Sequence, residues 1–364
     1  MNINQIILTV MAIFAVVGGL DYIFGKKLGL GEHFEGGIQA LGTLMLSMAG
    51  LLILTPPLAK ILGPVVSPVF NSLGADPAMF AGIFFGIDMG AAPLAYEMAA
   101  DPQAAGLGGM ITSAMLGATI VFTIPVGLGI VKPADRPYLA KGILIGMITI
   151  PLGVVVGGLA AGYGIHMVLI NTLPIAVFSL LIVFGMWKFE GVMIKGFVWF
   201  GRFIIAVSII GLLIGLLEYL IGWKLLQDTM PMTEVFEIVG NIGLMLAGAF
   251  PLVHLITKLL RKPLIAFGNR LGFNEESSSG LLVSLANCIP MMTMISEMDD
   301  RGKTINFAFA VAGGYMFGDH LGFVAGYQPD LMIPMIVGKF AAGITAVILA
   351  CFVTRNRKNQ DMVS

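Results

Sequence analysis

Two stretches of the sequence, residues 86–98 and 286–298, each place one strongly polar side chain inside an apolar run: Asp88 in the first and Asn287 in the second. In both, a proline and further apolar residues follow before charge returns with Glu-Met. A carboxylate at the centre of a bilayer costs about 2.5–3.5 kcal/mol, so it persists there only when something compensates it. Proline and clustered glycine leave backbone groups that need a protein-lined or wet cavity. These residues predict a binding site within a membrane.

Four further residues are candidates for the same site. Asp319 also lies well inside an apolar run, with His320 beside it, and a functional role is favoured for this carboxylate. Glu97 and Glu297 end the two stretches, close to other acidic residues. The sequence leaves open whether these two glutamates line an entrance or form a solvated face. Lys339 interrupts an apolar run as well, but we expect it to extend its ammonium to the membrane surface.

Glycine is the most conspicuous residue type, with 48 copies. Glycines spaced four apart recur within residues 82–90 and again within residues 314–326. Stripes of this kind let helices approach closely in membranes, so helix packing is the favoured interpretation. The alternative is exposed backbone along a substrate path, which the neighbouring Asp88 and Asp319 support.

The sequence carries no motif typical of a zinc protease, a serine hydrolase, a phosphate-binding loop or a dinucleotide-binding unit. Its histidines are far apart and form no ligand pair at helical spacing: His33, His166, His254 and His320. Cys288 and Cys351 lie in apolar segments without metal or disulfide spacing. We therefore expect a protein that is not an enzyme and that uses no metal and no cofactor.

The composition is that of a membrane protein. Of 364 residues, 57% are hydrophobic and only 11% are charged, whereas globular domains carry about 25% charge. The mean hydropathy is +0.95, and charge-free runs reach the ~20 residues of a transmembrane helix. The formal net charge of −1 gives no reason to expect nucleic acid as a partner. We predict an all-α fold, a polytopic transmembrane helical bundle surrounded by lipid.

Apolar runs of sufficient length set the expected helices. They are predicted at 3–24, 37–60, 105–131, 140–162, 165–187, 199–222, 235–258, 304–326 and 331–354. Two further segments, 76–98 and 277–298, carry Asp88 and Asn287. The pieces at 63–74 and 263–272 are too short to span a bilayer and are expected to lie along its surface.

The two halves of the chain repeat one another. Residues 18–28 match residues 215–225, and residues 115–117 match residues 316–318 at a similar offset. Internal duplication is typical of secondary transporters. We divide the chain into a transmembrane repeat at 1–163, a linking transmembrane helix at 164–197, a second repeat at 198–358 and a C-terminal tail at 359–364.

The distribution of basic residues predicts how the repeats are oriented. Under the positive-inside rule, the loops at 132–141 and 258–270 and the basic C-terminus should be cytoplasmic. This holds when the Asp88 and Asn287 segments are re-entrant, each returning to the side where it entered. Each repeat then has four crossings, the N-terminus lies outside, and the repeats are inverted. Broken helices that cross the whole bilayer are the alternative.

Three stretches carry a resemblance to a known family: residues 85–99 (Phe-Gly-Ile-Asp-Met-Gly-Ala-Ala-Pro-Leu-Ala-Tyr-Glu-Met-Ala), residues 286–292 (Ala-Asn-Cys-Ile-Pro-Met-Met) and residues 318–323 (Gly-Asp-His-Leu-Gly-Phe). The chain resembles the ethanolamine permease family (EutH) of bacterial ethanolamine-utilisation systems over nearly its whole length. The resemblance implies a multi-pass protein of the bacterial inner membrane that admits ethanolamine, which soluble enzymes convert to acetaldehyde and ammonia.

Ethanolamine is a small ammonium with one hydroxyl group, so its site needs a desolvated carboxylate or an aromatic face and a hydrogen-bonding partner. Asp88 can supply the charge, and Asn287 can bind the hydroxyl. A channel or carrier for another small polar or cationic solute is the alternative, and a membrane enzyme acting on alcohol or lipid head groups is a weaker one. The coupling ion, the protonation state of the transported amine and homo-oligomerisation stay open.

Overall fold

The computed structural model describes residues 3–355, and the tail assigned to 359–364 lies outside the described residues. Every regular element in the described range is helical, which confirms the predicted all-α fold. The α-helices are α1 (Ile3–Ile23), α2 (Leu30–Leu44), α3 (Gly50–Ser72), α4 (Ala78–Phe84), α5 (Ala91–Met98), α6 (Pro102–Gly106), α7 (Ile124–Ile130), α8 (Arg136–Ala160), α9 (Ile165–Ile221), α10 (Met232–Leu271), α11 (Glu275–Ser284), α12 (Cys288–Thr293), α13 (Asp300–Gly313), α14 (Asp319–Tyr327) and α15 (Met332–Arg355).

π-helices and 3₁₀ turns complete the described chain. One π-helix, Met45–Ala49, joins α2 to α3, and two more, Leu107–Gly117 and Thr119–Thr123, join α6 to α7. Single 3₁₀ turns lie at Ile87–Met89, Pro133–Asp135, Ile295–Glu297 and Pro329–Leu331.

Seven helical stretches of the described residues are long and apolar enough to cross a bilayer. Lipid offers no hydrogen-bond partners, so an apolar run satisfies its own backbone by forming a helix. The stretches are Ile3–Ile23, Leu30–Ser72, Pro102–Ile130, Pro133–Ala160, Ile165–Ile221, Met232–Pro263 and Pro329–Thr354. The stretch Ile165–Ile221 is long enough for two crossings. Phe189 divides it, because its backbone leaves helical geometry with φ −134° and ψ 41°.

The prediction of separate surface pieces at 63–74 and 263–272 is wrong. α3 continues through four prolines to Ser72, and α10 continues through Pro263 to Leu271. Proline removes one backbone donor, but in membrane helices neighbouring helices and local π adjustments satisfy the freed groups. The prolines therefore do not end these two helices.

The segment that carries Asp88 is a hairpin of α4 and α5. Its two ends meet at Asp76, whose carboxylate accepts hydrogen bonds from the amides of Ala100 and Asp101 at 3.0 and 2.9 Å. The chain therefore leaves the hairpin on the side where it entered. This is the geometry of a re-entrant segment and not of a broken helix that crosses.

A second hairpin, formed by α11 and α12, is closed in the same way. The amide of Asn274 donates a hydrogen bond to the carboxylate of Asp299 at 2.9 Å. Asn274 and Asp299 stand 198 residues after Asp76 and Asp101. The same sequence positions thus close the hairpin in each half of the chain.

Helices from the two halves pack together along glycines. α2 lies along α10, and α8 lies along α15. Between the halves, a Cβ on Gly326 would lie 2.9 Å from the Cα of Ile242, and within the first half Gly82 rests directly on the backbone of Gly108. These two glycines serve the close helix packing that their spacing predicts, whereas other members of the two stripes lie where the helices break.

Asp299 holds the base of the second hairpin through three hydrogen bonds. Its carboxylate accepts them from the amides of Asn274 and Gly302 at 2.9 and 2.8 Å and from the hydroxyl of Ser277 at 2.9 Å. Burial raises the pKa of Asp299, but these hydrogen bonds outweigh burial and hold the pKa below its usual value.

Asp299→Ala is expected to lower the free energy of unfolding by about 3 kcal/mol, because a hydrogen bond to a charged group contributes about 1.5–3 kcal/mol and truncation leaves amides unpaired. The stabilisation is complete above about pH 4 and disappears as the pH falls through the depressed pKa. Thermal melts in detergent measure it. Asp300→Ala is the matched control, since the side chain of Asp300 is 69% exposed. Equal melting temperatures for the two variants would contradict this account.

Candidate functional site

The first break in the helices, residues 85–90, presents Asp88. Phe85 and Gly86 are extended, and the 3₁₀ turn Ile87–Met89 follows them. Gly90 then takes φ 84°, a left-handed conformation that glycine adopts without steric cost, and begins α5. The break places Asp88 at the tip of the first hairpin.

Asn287 ends the second break, residues 285–287, and caps α12. Its side-chain oxygen accepts a hydrogen bond from the amide of Ile289 at 2.8 Å, which satisfies a donor that the helix itself leaves unpaired. The side-chain NH₂ group stays available as a donor. Asn287 is therefore held by its oxygen and can bind a ligand through its nitrogen.

A third break, residues 314–318, separates α13 from α14, so the prediction of one continuous helix at 304–326 is wrong. The amide of Tyr315 donates to the carbonyl oxygen of Ser284, and the amide of Phe317 donates to that of Leu285, both at 2.8 Å. Tyr315 takes φ 60°, a strained conformation for a residue with a side chain, and these bonds hold it there. α14 begins immediately afterwards at Asp319. The second hairpin thus fixes the position of Asp319.

The same glycine contact recurs in both halves. Gly117 lies directly against the carbonyl oxygen of Phe85 in the first break, and Gly318 lies directly against that of Ala286 in the second. The sequence comparison of residues 115–117 with residues 316–318 had paired these two glycines. Each of these two breaks is therefore approached closely by a segment that has no side chain at the point of contact.

One cavity of about 770 Å³ is lined by residues of the first and second breaks and by the residue that follows the third. Asp88, Asn287 and Asp319 line it together. Phe122 and Phe250 add aromatic rings to the wall, and the remaining polar lining comes from Gln39, Thr43, Ser47 and Arg202. Three of the six predicted site residues are thus brought together, although Asp88 and Asp319 are 231 positions apart in sequence.

The two carboxylates in the cavity, Asp88 and Asp319, have no ion-pair partner among the described residues, although Arg202 also lines the cavity. The Oδ1 atom of Asp88 is buried without a hydrogen-bond partner among those residues. The backbone oxygen of Asp88 accepts a hydrogen bond from the hydroxyl of Ser47 at 3.3 Å. A buried carboxylate without a partner is costly, and a bound cation would remove that cost.

His320 does not line the cavity. It contacts Lys339, which we had expected to reach the membrane surface. Its ring is buried, and its Nδ1 atom lies 3.1 Å from the Nζ of Lys339. Lys339 is 1% exposed, so the expectation that it reaches the membrane surface is wrong. Its ammonium finds partners inside the protein instead, at His320 and at the carbonyl oxygen of Ala114.

Glu97 and Glu297 are not brought to the cavity. Both are exposed, and they lie near the bases of the first and second hairpins. His33 and His254 stack with their ring centroids 4.2 Å apart, across α2 and α10. Within the described residues, no group of three or more His, Cys, Asp or Glu side chains is arranged to hold a metal ion.

Several cavity residues escaped the sequence analysis. Gln39, Thr43 and Ser47 are spaced four apart on one face of α2 and the π-helix that follows it. This spacing predicts a polar helix face and could have been recognised in the sequence. Phe122 is one of 24 phenylalanines, and nothing in the sequence distinguishes it. Its ring lies edge-on to that of Tyr315, with centroids 5.9 Å apart.

Comparison with known proteins identifies a matching family and several relatives of similar length. Residues 3–353 match the family described as "Ethanolamine utilisation protein, EutH". The chain is 49% identical over 362 residues to "Probable ethanolamine permease EutH" of Listeria monocytogenes, covering 99% of this chain and 97% of that protein. It is 40% identical over 388 residues to "Probable ethanolamine permease EutH" of Escherichia coli, covering 96% and 95%.

A further relative, "Uncharacterized protein YxeR" of Bacillus subtilis, is 43% identical over 366 residues, covering 100% of this chain and 99% of that protein. No solved structure matches the chain. The family match covers nearly the whole chain, including all three breaks. The chain belongs to the ethanolamine utilisation protein EutH family.

Proposed function

We propose that the protein is a permease that imports ethanolamine across the bacterial inner membrane for catabolism. The names of its relatives in Listeria monocytogenes and Escherichia coli support the substrate. The observation that carries the proposal is the cavity lined by the carboxylates of Asp88 and Asp319, neither of which makes an ion pair with a described residue. An organic ammonium is the ligand that such a site would stabilise.

The substrate binds at the inner end of the cavity, where the three breaks meet. Its ammonium lies between the carboxylates of Asp88 and Asp319, and the ring of Phe122 offers a further cation–π contact. The side-chain NH₂ of Asn287 donates a hydrogen bond to the hydroxyl oxygen. Because the breaks are fixed by backbone hydrogen bonds, the site is largely formed before the substrate arrives.

The cavity is the access path on the cytoplasmic side. It extends to Gly129 in α7, and Lys132 follows shortly after that helix. Basic loops lie on the cytoplasmic side of membranes, so a cavity that reaches this end corresponds to an inward-facing state. The repeats are inverted in this proposal, and transport exchanges this state for one that opens on the opposite side.

The proposed topology predicts the labelling of single cysteines in intact cells. In a background without Cys288 and Cys351, a cysteine at Arg261 should resist a membrane-impermeant thiol reagent, because its loop is cytoplasmic. A cysteine at Asp228, in the loop between α9 and α10, should react from outside. Reaction at position 261 in sealed cells, with position 228 protected, would reject the inverted arrangement.

The proposed transport activity is tested with purified protein in liposomes. We expect saturable uptake of labelled ethanolamine. Uptake should be faster when unlabelled ethanolamine is loaded inside, because the binding site of a carrier reorients across the membrane faster with substrate bound than when empty. Saturable flux without such counterflow would indicate a channel. Conversion of ethanolamine by the purified protein would favour the membrane-enzyme alternative, and absence of any ethanolamine flux would reject the proposed function.

A further inference from the structure

The proposed substrate site does not use the buried pair Lys339 and His320. The two side chains are 1% and 3% exposed, on α15 and α14. The Nζ of Lys339 donates to the carbonyl oxygen of Ala114 at 2.5 Å and lies 3.1 Å from the Nδ1 of His320. No carboxylate of the described residues lies within ion-pair distance of Lys339. A charge on this ammonium is therefore buried without a contacting counter-ion.

The contact between the two side chains is compatible with two protonation states. When Lys339 is an ammonium, it donates to the Nδ1 of a neutral imidazole. When the pair has lost that proton, the neutral amine accepts a hydrogen bond from Nδ1–H after the imidazole changes tautomer. Two positive charges 3.1 Å apart would repel. The pair can thus gain and lose one proton while its hydrogen bond is kept.

The pair is electrostatically connected to the cavity. His320 follows Asp319 directly in the chain, and the charges of Lys339 and Asp88 attract one another. A cation bound between Asp88 and Asp319 would take over part of this attraction and repel a proton on the pair. By linkage, a proton on the pair must weaken the binding of the cation to the same extent.

We propose that Lys339 and His320 form the proton-binding site of the transporter, and that a bound ammonium substrate displaces one proton from it. This inference rests on the proposed binding of ethanolamine in the cavity. The proton that leaves the Lys339–His320 pair passes to water or buffer, and the substrate keeps its own ammonium proton.

Few other titratable groups surround the pair. They are Asp319 on α14, Cys288 on α12, Asp88 in the first break and Tyr315 in the third. The elements packed on α15 carry none at residues 107–117, 142–160 and 304–313. Charged residues on these elements lie towards the ends of α15. They are Arg136 and Lys141 in the first two turns of α8, Asp300, Arg301 and Lys303 in the first turn of α13, and Asp330 in the 3₁₀ turn before α15. Asp88 and Asp319 are therefore the competing sources of a released proton.

A purely structural role for Lys339 is the alternative. Ala114 lies within the π-helix Leu107–Gly117, and the second lone pair of its carbonyl oxygen can accept a hydrogen bond in addition to the one made within the helix. In that case Lys339 would only satisfy this carbonyl. Substitution would then affect stability but not the uptake or release of protons on substrate binding.

The test is calorimetric binding of ethanolamine to the purified protein between about pH 6 and 8, where histidine titrates, in two buffers that differ in ionisation enthalpy. We expect the wild type to release up to one proton per bound ethanolamine. We also expect its affinity to rise with pH by about 5- to 150-fold in total. Lys339→Met should bind without proton release and without this pH dependence.

Lys339→Arg is the second variant, because it keeps a fixed cation and its contacts but cannot lose a proton in this range. It should bind weakly at every pH without proton release, and melting curves confirm that each variant is folded. The wild-type measurement is repeated with choline as the ligand. The charge of choline is permanent, so any proton released on binding must come from the protein.

Two results would overturn the proton site. One is ethanolamine binding to the wild type without proton release. The other is release by Lys339→Met equal to that of the wild type, which would assign the proton to Asp88, Asp319 or the ligand. If the wild type binds no ethanolamine at all, the proposed function itself fails, and the two failures are thereby distinguished.

Discussion

Asp88→Asn is expected to lower the apparent affinity for ethanolamine by about 10- to 150-fold. The substitution keeps the size of the side chain and its hydrogen bonding but removes the charge. A hydrogen bond to a charged group in a desolvated site contributes about 1.5–3 kcal/mol, and each 1.4 kcal/mol is a factor of ten. The half-saturation of ethanolamine uptake, at matched expression, measures the loss.

Comparison variants separate the cavity residues from the exposed acids. Asn287→Ala should cost less than Asp88→Asn, about 1 kcal/mol, since it removes one neutral hydrogen bond. Glu97→Gln should transport like the wild type, because Glu97 is exposed and does not line the cavity. Choline and ethylene glycol as competitors distinguish recognition of the charge from recognition of the hydroxyl. Unchanged half-saturation in a correctly inserted Asp88→Asn protein would move the cation site to Asp319.

Gly318→Ala is expected to reduce both stability and transport, although it adds a single methyl group. The new Cβ would overlap the carbonyl oxygen of Ala286, which is backbone and cannot rotate away. Overpacking of this kind costs about 1–3 kcal/mol. Ala286 precedes Asn287 and Gly318 precedes Asp319, so relief of the overlap would displace two cavity side chains together.

Gly42→Ala is the control for this prediction. Gly42 lies within α2, and a Cβ there would meet no atom within 4 Å. We expect its melting temperature and uptake to match those of the wild type. Gly117→Ala should behave like Gly318→Ala, because it overlaps the carbonyl oxygen of Phe85 in the first break. Wild-type transport by Gly318→Ala would contradict this account, because it would show that the second and third breaks can move apart without loss of function.

The sequence was sufficient to predict the helical fold and to single out the two carboxylates that line the cavity. Asp88 and Asp319 stand out because a charge in an apolar run is expensive, and this cost does not depend on the details of packing. Asn287 was recognisable as the counterpart of Asp88 in the repeat. The sequence does not show that Asp88, Asn287 and Asp319 line one cavity, because this depends on how the breaks in the helices pack against one another.

Other features depend on contacts between residues far apart in the chain. Lys339 lies 225 residues after Ala114, and no local pattern indicates that this carbonyl oxygen would receive its ammonium. Glu97 and Glu297 were candidates through their place in the two stretches, but the hairpins turn these positions outwards. The ends of α3 and α10 were missed because the effect of a proline depends on its neighbours.

Equilibrium binding of labelled ethanolamine to the purified protein tests the central claim most directly, with the wild type compared to a double variant, Asp88→Asn with Asp319→Asn. Both proteins must show cooperative melting transitions, so that any lost binding reflects the site. The account predicts saturable binding to the wild type and no measurable binding to the double variant at the same concentrations. Binding by the folded double variant with unchanged affinity would contradict it.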